Sequence, residues 1–177
     1  MYSTTEQSAN MHYLSRSEKH GPERVPAATL TLKYHSPNDV LSEFSPDLKA
    51  SLYRRPHEGE SDMADSADTR LDDPNYLPRL KFPNMTNVIQ INKVIAGAAV
   101  TVHYGLRGKS DIVLDDCKVH GFKFDPQDGG TVIVTLNVDC SPSPEQAGYL
   151  HSLQDQEVTI SISPPQDSQG QLIGDEE

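Results

Sequence analysis

The clearest pattern of hydrophobic and polar positions in this chain runs from Thr131 to Cys140. Hydrophobic residues occupy every second position there: Val132, Val134, Leu136, Val138 and Cys140. This alternation is typical of a β-strand with one buried face. Other hydrophobic stretches predict strands at residues 88–91, 98–104, 112–124 and 157–162. Residues 79–164 are therefore predicted to form a β-rich core.

The predicted strand at residues 112–124 contains a break in its alternation. Cys117 and Val119 have one parity, whereas Phe122 and Phe124 have the other. A regular strand would turn one of these pairs toward water, because successive side chains point to opposite faces. One extra residue at His120-Gly121 places both pairs on the same face, and glycine adopts the unusual backbone angles required. We therefore predict a β-bulge at His120-Gly121.

Turn residues between the two strands indicate a hairpin. The sequence Asp125-Pro126-Gln127-Asp128-Gly129-Gly130 is rich in residues that favour turns. With the bulge in place, the hairpin is predicted to bring the two phenylalanines near Val132 and Val134. The same register places Cys117 and Val119 near Leu136 and Val138.

Helix signals are found at two places. Ser143, Pro144 and Gln146 have the spacing of a capping box with proline at the first helical position, so a short helix is predicted before the last strand. Residues 27–54 read as a strand at 28–34 followed by helical spacing that Pro46 interrupts. We predict that this strand–helix unit packs on the core.

Polar segments separate these elements. Residues 1–26 have no periodicity and are predicted to be a disordered leader. Residues 55–78 read as an acidic linker or mobile loop, and residues 165–177 as an acidic tail. The predicted fold class is α+β and mostly antiparallel, a small β-sandwich or barrel with one or two short helices, a flexible leader and an acidic tail. A barrel of the oligonucleotide-binding type, which also has a helix between late strands, is one alternative.

The charge of the chain resides mainly in its polar segments. The formal net charge is −11, and eight of these charges fall in residues 61–78 and 164–177. The predicted core is therefore close to neutral, unlike a broad nucleic-acid-binding surface or a mimic of DNA. No segment reaches the roughly 18 apolar residues that span a bilayer, and the N-terminus lacks a secretory apolar run. We expect a cytoplasmic protein that does not bind membranes.

Signals for catalysis are weak. Gly105-Leu106-Arg107-Gly108-Lys109-Ser110 ends like a phosphate-binding loop, but it lacks the first glycine and precedes a predicted strand instead of a helix. Asp115 and Asp116 are adjacent, so in a regular strand they would not converge on one ion. The histidines show no metal-ligand spacing, although His120 stands out because bulges re-aim side chains. We expect no enzyme activity, no cofactor and no metal.

The chain contains two cysteines, Cys117 and Cys140. Two cysteines make neither a disulfide framework nor a zinc site. Buried reduced thiols are the simplest interpretation. A cross-strand disulfide and a reactive thiol remain open alternatives.

A small set of basic and aromatic residues makes a candidate surface for single-stranded nucleic acid. Basic side chains contact the phosphate backbone, and aromatic rings stack on bases. The candidate residues are Tyr104, Arg107, Lys109, Lys118, Phe122 and Lys123.

The stretch from Ser110 to Phe122, continuing through Asp128-Gly129-Gly130-Thr131-Val132, resembles uncharacterised phage and prophage proteins over about residues 80–165. The resemblance implies a non-catalytic accessory protein that binds a host or phage protein such as a nuclease, polymerase or defence complex, in the host cytoplasm. Its role would lie in DNA transactions or in the inhibition of host defence. The alternatives are a single-stranded nucleic-acid-binding small barrel and a virion component, in the tail or head, that forms oligomers.

Overall fold

The computed structural model describes residues 2–20, 23–57, 60, 73–84, 88–104 and 110–165. The strands, in chain order, are β1 (Thr4–His20), β2 (Glu23–Pro37), β3 (Tyr53–Arg54), β4 (Arg79–Leu80), β5 (Ile89–Ile91), β6 (Ile95–His103), β7 (Ile112–Gln127), β8 (Thr131–Cys140) and β9 (Gln156–Ser163). The helices are a 3₁₀ helix (Asn38–Glu43), α1 (Leu48–Leu52) and α2 (Pro144–Ser152).

Six of these strands form a closed antiparallel ring. The order around the ring is β1-β2-β8-β7-β6-β9, and β9 pairs back onto β1. Strand β5 adds to β7 outside the ring, and β3 pairs separately with β4. The predicted class, mostly antiparallel β with short helices, is confirmed. The ring of six strands differs from the five-stranded oligonucleotide-binding barrel.

Hydrophobic side chains from alternate positions fill the interior of the barrel. Val100 on β6, Val134 on β8 and Ile160 on β9 have no solvent exposure. Small barrels bury their inward side chains as a packed core because the interior is only wide enough for side chains. The predicted inward positions of β8 and β9 are all buried in the structure.

Helices close the two ends of the barrel. The 3₁₀ helix follows the end of β2, where Pro37 pairs with Thr131 at the start of β8. Just after it, the ring of Phe44 lies 4.9 Å from that of Phe122 and 4.8 Å from that of Phe124. Helix α2 follows the opposite end of β8 and buries Leu150. The apolar interior is therefore protected from water at both ends.

The prediction of a disordered leader at residues 1–26 is wrong. Strand β1 pairs with β2 on one edge and with β9 on the other, so it completes the ring. Ala9, Met11 and Tyr13 alternate with polar residues and are buried. The alternation was overlooked because its three apolar residues stand among serine, threonine, asparagine and charged residues. Because β1 pairs with a neighbouring strand on each edge, this short apolar pattern is sufficient for it to form a strand.

The predicted β-bulge at His120-Gly121 is confirmed. The β7–β8 register shifts between His120 and Lys123, and Gly121 has a φ of +67°. The predicted pairing is displaced by two residues, since Phe124 pairs with Val134 and Val119 with Val138. The turn is shorter than expected, because β7 continues to Gln127 and the turn comprises residues 128–130.

A second bulge lies at Asp115-Asp116, where the β6–β7 register also shifts and Asp116 has a φ of +53°. Both carboxylates are exposed. The alternation expected for adjacent strand residues therefore fails at this point, because the extra residue is accommodated outside the ladder.

The structure describes only parts of the predicted linker and tail. Residues 58–59, 61–72 and 166–177 lie outside the described residues. The ends of the linker are brought together, because Tyr53 pairs with Leu80 and Arg54 with Arg79. Within the described ranges, no helix is both long enough and apolar enough to cross a bilayer.

The role of β1 can be tested with Met11→Ala. Met11 is 1% exposed, so truncation leaves a cavity in the barrel and is expected to lower the free energy of unfolding by about 3 kcal/mol. Urea denaturation measures this loss. The matched control is Leu14→Ala on the same strand, where the side chain is 48% exposed and the loss is expected to be small. Equal, negligible losses in both variants would indicate an unstructured N-terminus.

The bulge can be tested with Gly121→Ala. A Cβ atom at this position would lie 2.9 Å from Asn137 Nδ2 at a positive φ, so we expect a loss of roughly 2 kcal/mol in the free energy of unfolding. Gly148→Ala is the control, because Gly148 lies inside α2 with no atom within 4 Å of the added Cβ. That substitution is expected to stabilise by about 0.5–1 kcal/mol. Thermal unfolding of both variants measures the contrast, and a neutral Gly121→Ala would contradict the bulge.

Candidate functional site

The residues predicted to bind nucleic acid do not form one surface. Phe122 is completely buried between β5, β8 and the aromatic ring of Phe44, so it does not stack on a base. This part of the prediction is wrong, because the bulge turns both phenylalanines inward. Arg107 and Lys109 lie outside the described residues.

The remaining three candidates are exposed but far apart. Tyr104 directly follows β6, whose end pairs with Ile112 at the start of β7. Lys118 and Lys123 lie farther along β7. At about 3.3 Å per residue, Lys123 is roughly 35 Å along the strand from Ile112. The two lysines and the tyrosine therefore do not converge on one binding position.

Tyr104 instead belongs to a group of exposed side chains, which we call the tyrosine patch: Tyr104 and Tyr149, whose rings are in contact, and Val113, whose backbone is hydrogen-bonded to α2. The three side chains are 37%, 46% and 44% exposed. The rings of Tyr104 and Tyr149 are in contact, with centroids 5.8 Å apart and planes inclined by 41°. Sequence analysis missed Tyr149, because its partner lies 45 residues away in the chain.

The tyrosine patch is held on a well-anchored helix. Ser143 and Gln146 form the predicted capping box at the start of α2, with Pro144 at the first helical position. The Gln146 side chain also donates from Nε2 to the carbonyl oxygen of Val113 at 2.9 Å. Leu150 and Leu153 are buried beneath the helix. These contacts fix Tyr149 relative to Val113 before any partner binds.

The bulge at Gly121 organises a polar cluster on the outer face of the barrel. His120 Nε2 lies 2.9 Å from Asp139 Oδ2, and the Thr29 hydroxyl donates to Asp139 Oδ1 at 2.6 Å. Burial by itself would raise the pKa of Asp139, but the Thr29 hydrogen bond and the nearby His120 and Arg16 outweigh it and lower that pKa. The carboxylate is thus the centre of this cluster. Thr29 donates to the carboxylate and not to the imidazole, so the histidine does not activate its hydroxyl as a nucleophile.

A cleft of about 240 Å³ adjoins this cluster. Its walls carry charges of both signs. Arg16 and Lys118 are basic, and Asp116 and Asp139 are acidic. Cys140 also lines the cleft and is 6% exposed. The cleft suits a small polar molecule better than an extended anionic chain, because its acidic groups oppose a phosphate backbone.

A Ser–His–Asp arrangement occurs on the neighbouring face. His103 Nδ1 lies 2.9 Å from Asp111 Oδ2, and His103 Nε2 lies 2.8 Å from Ser161 Oγ. This is the order of groups in a serine hydrolase. However, the backbone N–H of Glu6, in the irregular part of β1, donates to Ser161 Oγ itself at 3.0 Å. It is therefore not aimed at the separate position where the oxyanion of a substrate would develop.

The same contacts explain this cluster as a link between strands. His103 belongs to β6, Ser161 to β9, and Glu6 to β1, so the hydrogen bonds join three neighbouring strands of the ring. Sequence analysis missed the cluster because Ser161 lies 58 residues from His103 and 155 residues from Glu6 in the chain. A search for short catalytic motifs has no signal for such a set.

A cleft of about 450 Å³ lies at the opposite end of the barrel. It surrounds Lys49, which is 7% exposed and whose ammonium group lies 2.6 Å from Asp39 Oδ1 and 2.6 Å from the carbonyl oxygen of Asn75. A buried ammonium group needs such compensation. The lysine therefore ties Asn75, near the end of the predicted linker, to α1 and the 3₁₀ helix, which is a structural role.

The chain matches no protein-family model, no curated protein and no solved structure. Inference about its function therefore rests on the geometry of its own residues. The resemblance to phage and prophage proteins stays a prediction.

The role of Ser161 can be tested with a fluorophosphonate probe, which labels activated serines. If the cluster only links strands, the probe will not label the native protein. Ser161→Ala is then expected to lower the free energy of unfolding by about 1 kcal/mol through the lost hydrogen bonds. Ser163→Ala, on the exposed end of the same strand, is the stability control. Labelling that disappears in both Ser161→Ala and His103→Ala would identify a catalytic serine instead.

Proposed function

We propose that this protein acts without catalysis, by binding another protein through the tyrosine patch. The observation that carries the proposal is the contact between two exposed tyrosines, Tyr104 after β6 and Tyr149 on a helix that is anchored to the barrel. Tyrosine is enriched among the residues that dominate binding energy at protein interfaces. Its two side-chain torsions cost little entropy on binding, and here the contact between the rings restricts them already.

The tyrosine patch favours a protein partner over a nucleic acid. Asp111 lies beside Tyr104 and accepts a hydrogen bond from its backbone N–H at 3.3 Å, and Glu145 is exposed in the first turn of α2. Acidic groups beside a stacking surface oppose the approach of phosphates. An apolar patch with a polar rim is instead characteristic of protein interfaces.

The resemblance of residues 80–165 to phage and prophage proteins indicates which kind of protein the partner is. It favours a host or phage nuclease, polymerase or defence complex, with the chain as an accessory protein in the host cytoplasm. This assignment depends on the resemblance, whereas the mode of binding depends on the tyrosine patch.

Self-assembly, as in a virion component, is a second candidate because of the β1–β2 hairpin. Strand β1 pairs with β9 only as far as Met11, and β2 pairs with β8 only from Ala28 onward. The part of the hairpin beyond these residues extends from the ring as a two-stranded ribbon. Exposed strand edges are templates for pairing with another chain. A stable large oligomer in size-exclusion chromatography with light scattering would favour this candidate over the accessory role.

The proposal can be tested with the full chain as bait in a nuclease-treated bacterial lysate, followed by cross-linking and mass spectrometry. A specific partner is expected to be enriched by the wild-type chain. The double variant Tyr104→Ser/Tyr149→Ser is expected to reduce this enrichment about tenfold or more, the effect of losing one or two dominant interface residues. The direct affinity of the purified partner for each variant confirms the loss.

The matched control is Phe82→Ser, which removes a 56% exposed aromatic side chain outside the tyrosine patch. It is expected to leave the enrichment unchanged, and circular dichroism checks that both variants remain folded. Undiminished enrichment by the double variant would overturn the proposal. Binding of single-stranded DNA at low salt that requires both tyrosines would support the nucleic-acid alternative instead.

A further inference from the structure

The two cysteines are neighbours across the β7–β8 ladder. Lys118 pairs with Asp139, so the next positions in this antiparallel register are Cys117 and Cys140. Both side chains are buried, and each thiol donates to a backbone carbonyl oxygen, Cys117 to that of Leu114 at 3.3 Å and Cys140 to that of Ala28 at 3.7 Å. Sequence analysis expected Cys117 near Leu136 and Val138, and the shift of two residues in the register is what brings the cysteines together.

The positions of the two residues fit a disulfide. Directly opposite residues in antiparallel strands have Cα atoms about 4.5–5.5 Å apart. Disulfides join residues whose Cα atoms are about 4.4–6.8 Å apart. A bond between the two sulfur atoms therefore requires no displacement of the strands.

The two thiols differ in access to solvent. Cys140 is 6% exposed and lines the 240 Å³ cleft, whereas Cys117 is completely buried behind it. A small molecule in the cleft thus meets Cys140 first. The cleft is also lined by Arg16, Lys118, Asp116 and Asp139, so a ligand that carries both carboxylate and ammonium groups is complementary to it.

We propose that Cys140 is a site of thiol–disulfide exchange with small charged disulfides, and that Cys117 resolves the mixed disulfide into a Cys117–Cys140 bond. The chemical class of the ligand is that of oxidised glutathione. This site is independent of the tyrosine patch.

The reaction proceeds in two exchange steps. The Cys140 thiolate attacks one sulfur of the small disulfide, forms a mixed disulfide and releases one thiolate. Cys117 then attacks Cys140 Sγ, which forms the intramolecular disulfide and releases the second small thiol, and the proton of Cys117 leaves with it. Two protein thiols are oxidised, and one small disulfide is reduced to two thiols.

The electrostatics of the pair support this order of attack. The neighbouring Cys117 thiol lowers the pKa of Cys140, so Cys140 is the better thiolate. The neighbouring Cys140 and burial raise the pKa of Cys117. Once Cys140 is bound in the mixed disulfide, it carries no negative charge. The repulsion that helps to raise the pKa of Cys117 is then removed.

The test is incubation of the native full chain with oxidised glutathione, followed by acid quenching and intact-mass analysis. The wild-type protein is expected to lose two hydrogen atoms in mass and to lose both thiols that can be alkylated after denaturation. Cys117→Ser is expected to accumulate one glutathione adduct on Cys140. Cys140→Ser is expected to react at least tenfold more slowly, because Cys117 is shielded.

Denaturation is the control for solvent access to the thiols. In denaturant, the single thiol of Cys140→Ser is expected to react as fast as the single thiol of Cys117→Ser. Equal native rates for the two single variants would overturn the assignment of Cys140 as the attacking thiol. A wild-type protein that stays reduced, or that stops at the glutathione adduct, would overturn the role of Cys117. Binding of a protein partner through the tyrosine patch is measured separately under reducing conditions, so either proposal can fail alone.

Discussion

Closure of the six-stranded ring is the constraint on which the rest of this structure depends. An open sheet would leave unpaired backbone groups at two long edges, and the ring removes them by pairing β1 with both β9 and β2. The N-terminal segment is thus an obligatory part of the barrel. Closure also fixes which side chains face inward, and the resulting core is sealed at its ends by the 3₁₀ helix and by α2.

Strand β7 shows how the ring is bent into shape. It pairs with β8 on one edge and with both β6 and β5 on the other, and it accommodates these partners through bulges at Asp115-Asp116 and His120-Gly121. Each bulge places extra polar groups on the outer surface. The bulge at His120-Gly121 positions His120 against Asp139, and the β7–β8 register places Cys117 opposite Cys140. The local chemistry of the outer face is therefore a consequence of barrel geometry.

Both functional proposals concern the end of the barrel at which α2 is attached. Cys140 ends β8, and α2 begins at Pro144 and carries Tyr149 to the side of Tyr104. The capping box and the Gln146–Val113 hydrogen bond hold this arrangement. By contrast, the opposite end holds structural contacts such as that of the buried Lys49 with the exposed Asp39. The Ser161–His103–Asp111 cluster shows that a catalytic order of groups also arises where hydrogen bonds simply link strands.

The sequence by itself determined the local features: the strand Thr131–Cys140, the bulge at His120-Gly121, the cap at Ser143 and the mostly antiparallel class. These features depend on neighbouring residues, because strand alternation, glycine conformations and helix caps act within a few positions. The pairing of β1 with β9, the burial of Phe122 and the contacts Tyr104–Tyr149 and Cys117–Cys140 were decided only by tertiary structure. Each of them joins residues that are distant in the chain, and closure of the ring selects their register. A displacement of two residues preserves every inward-facing position, so alternation alone does not distinguish one register from the other.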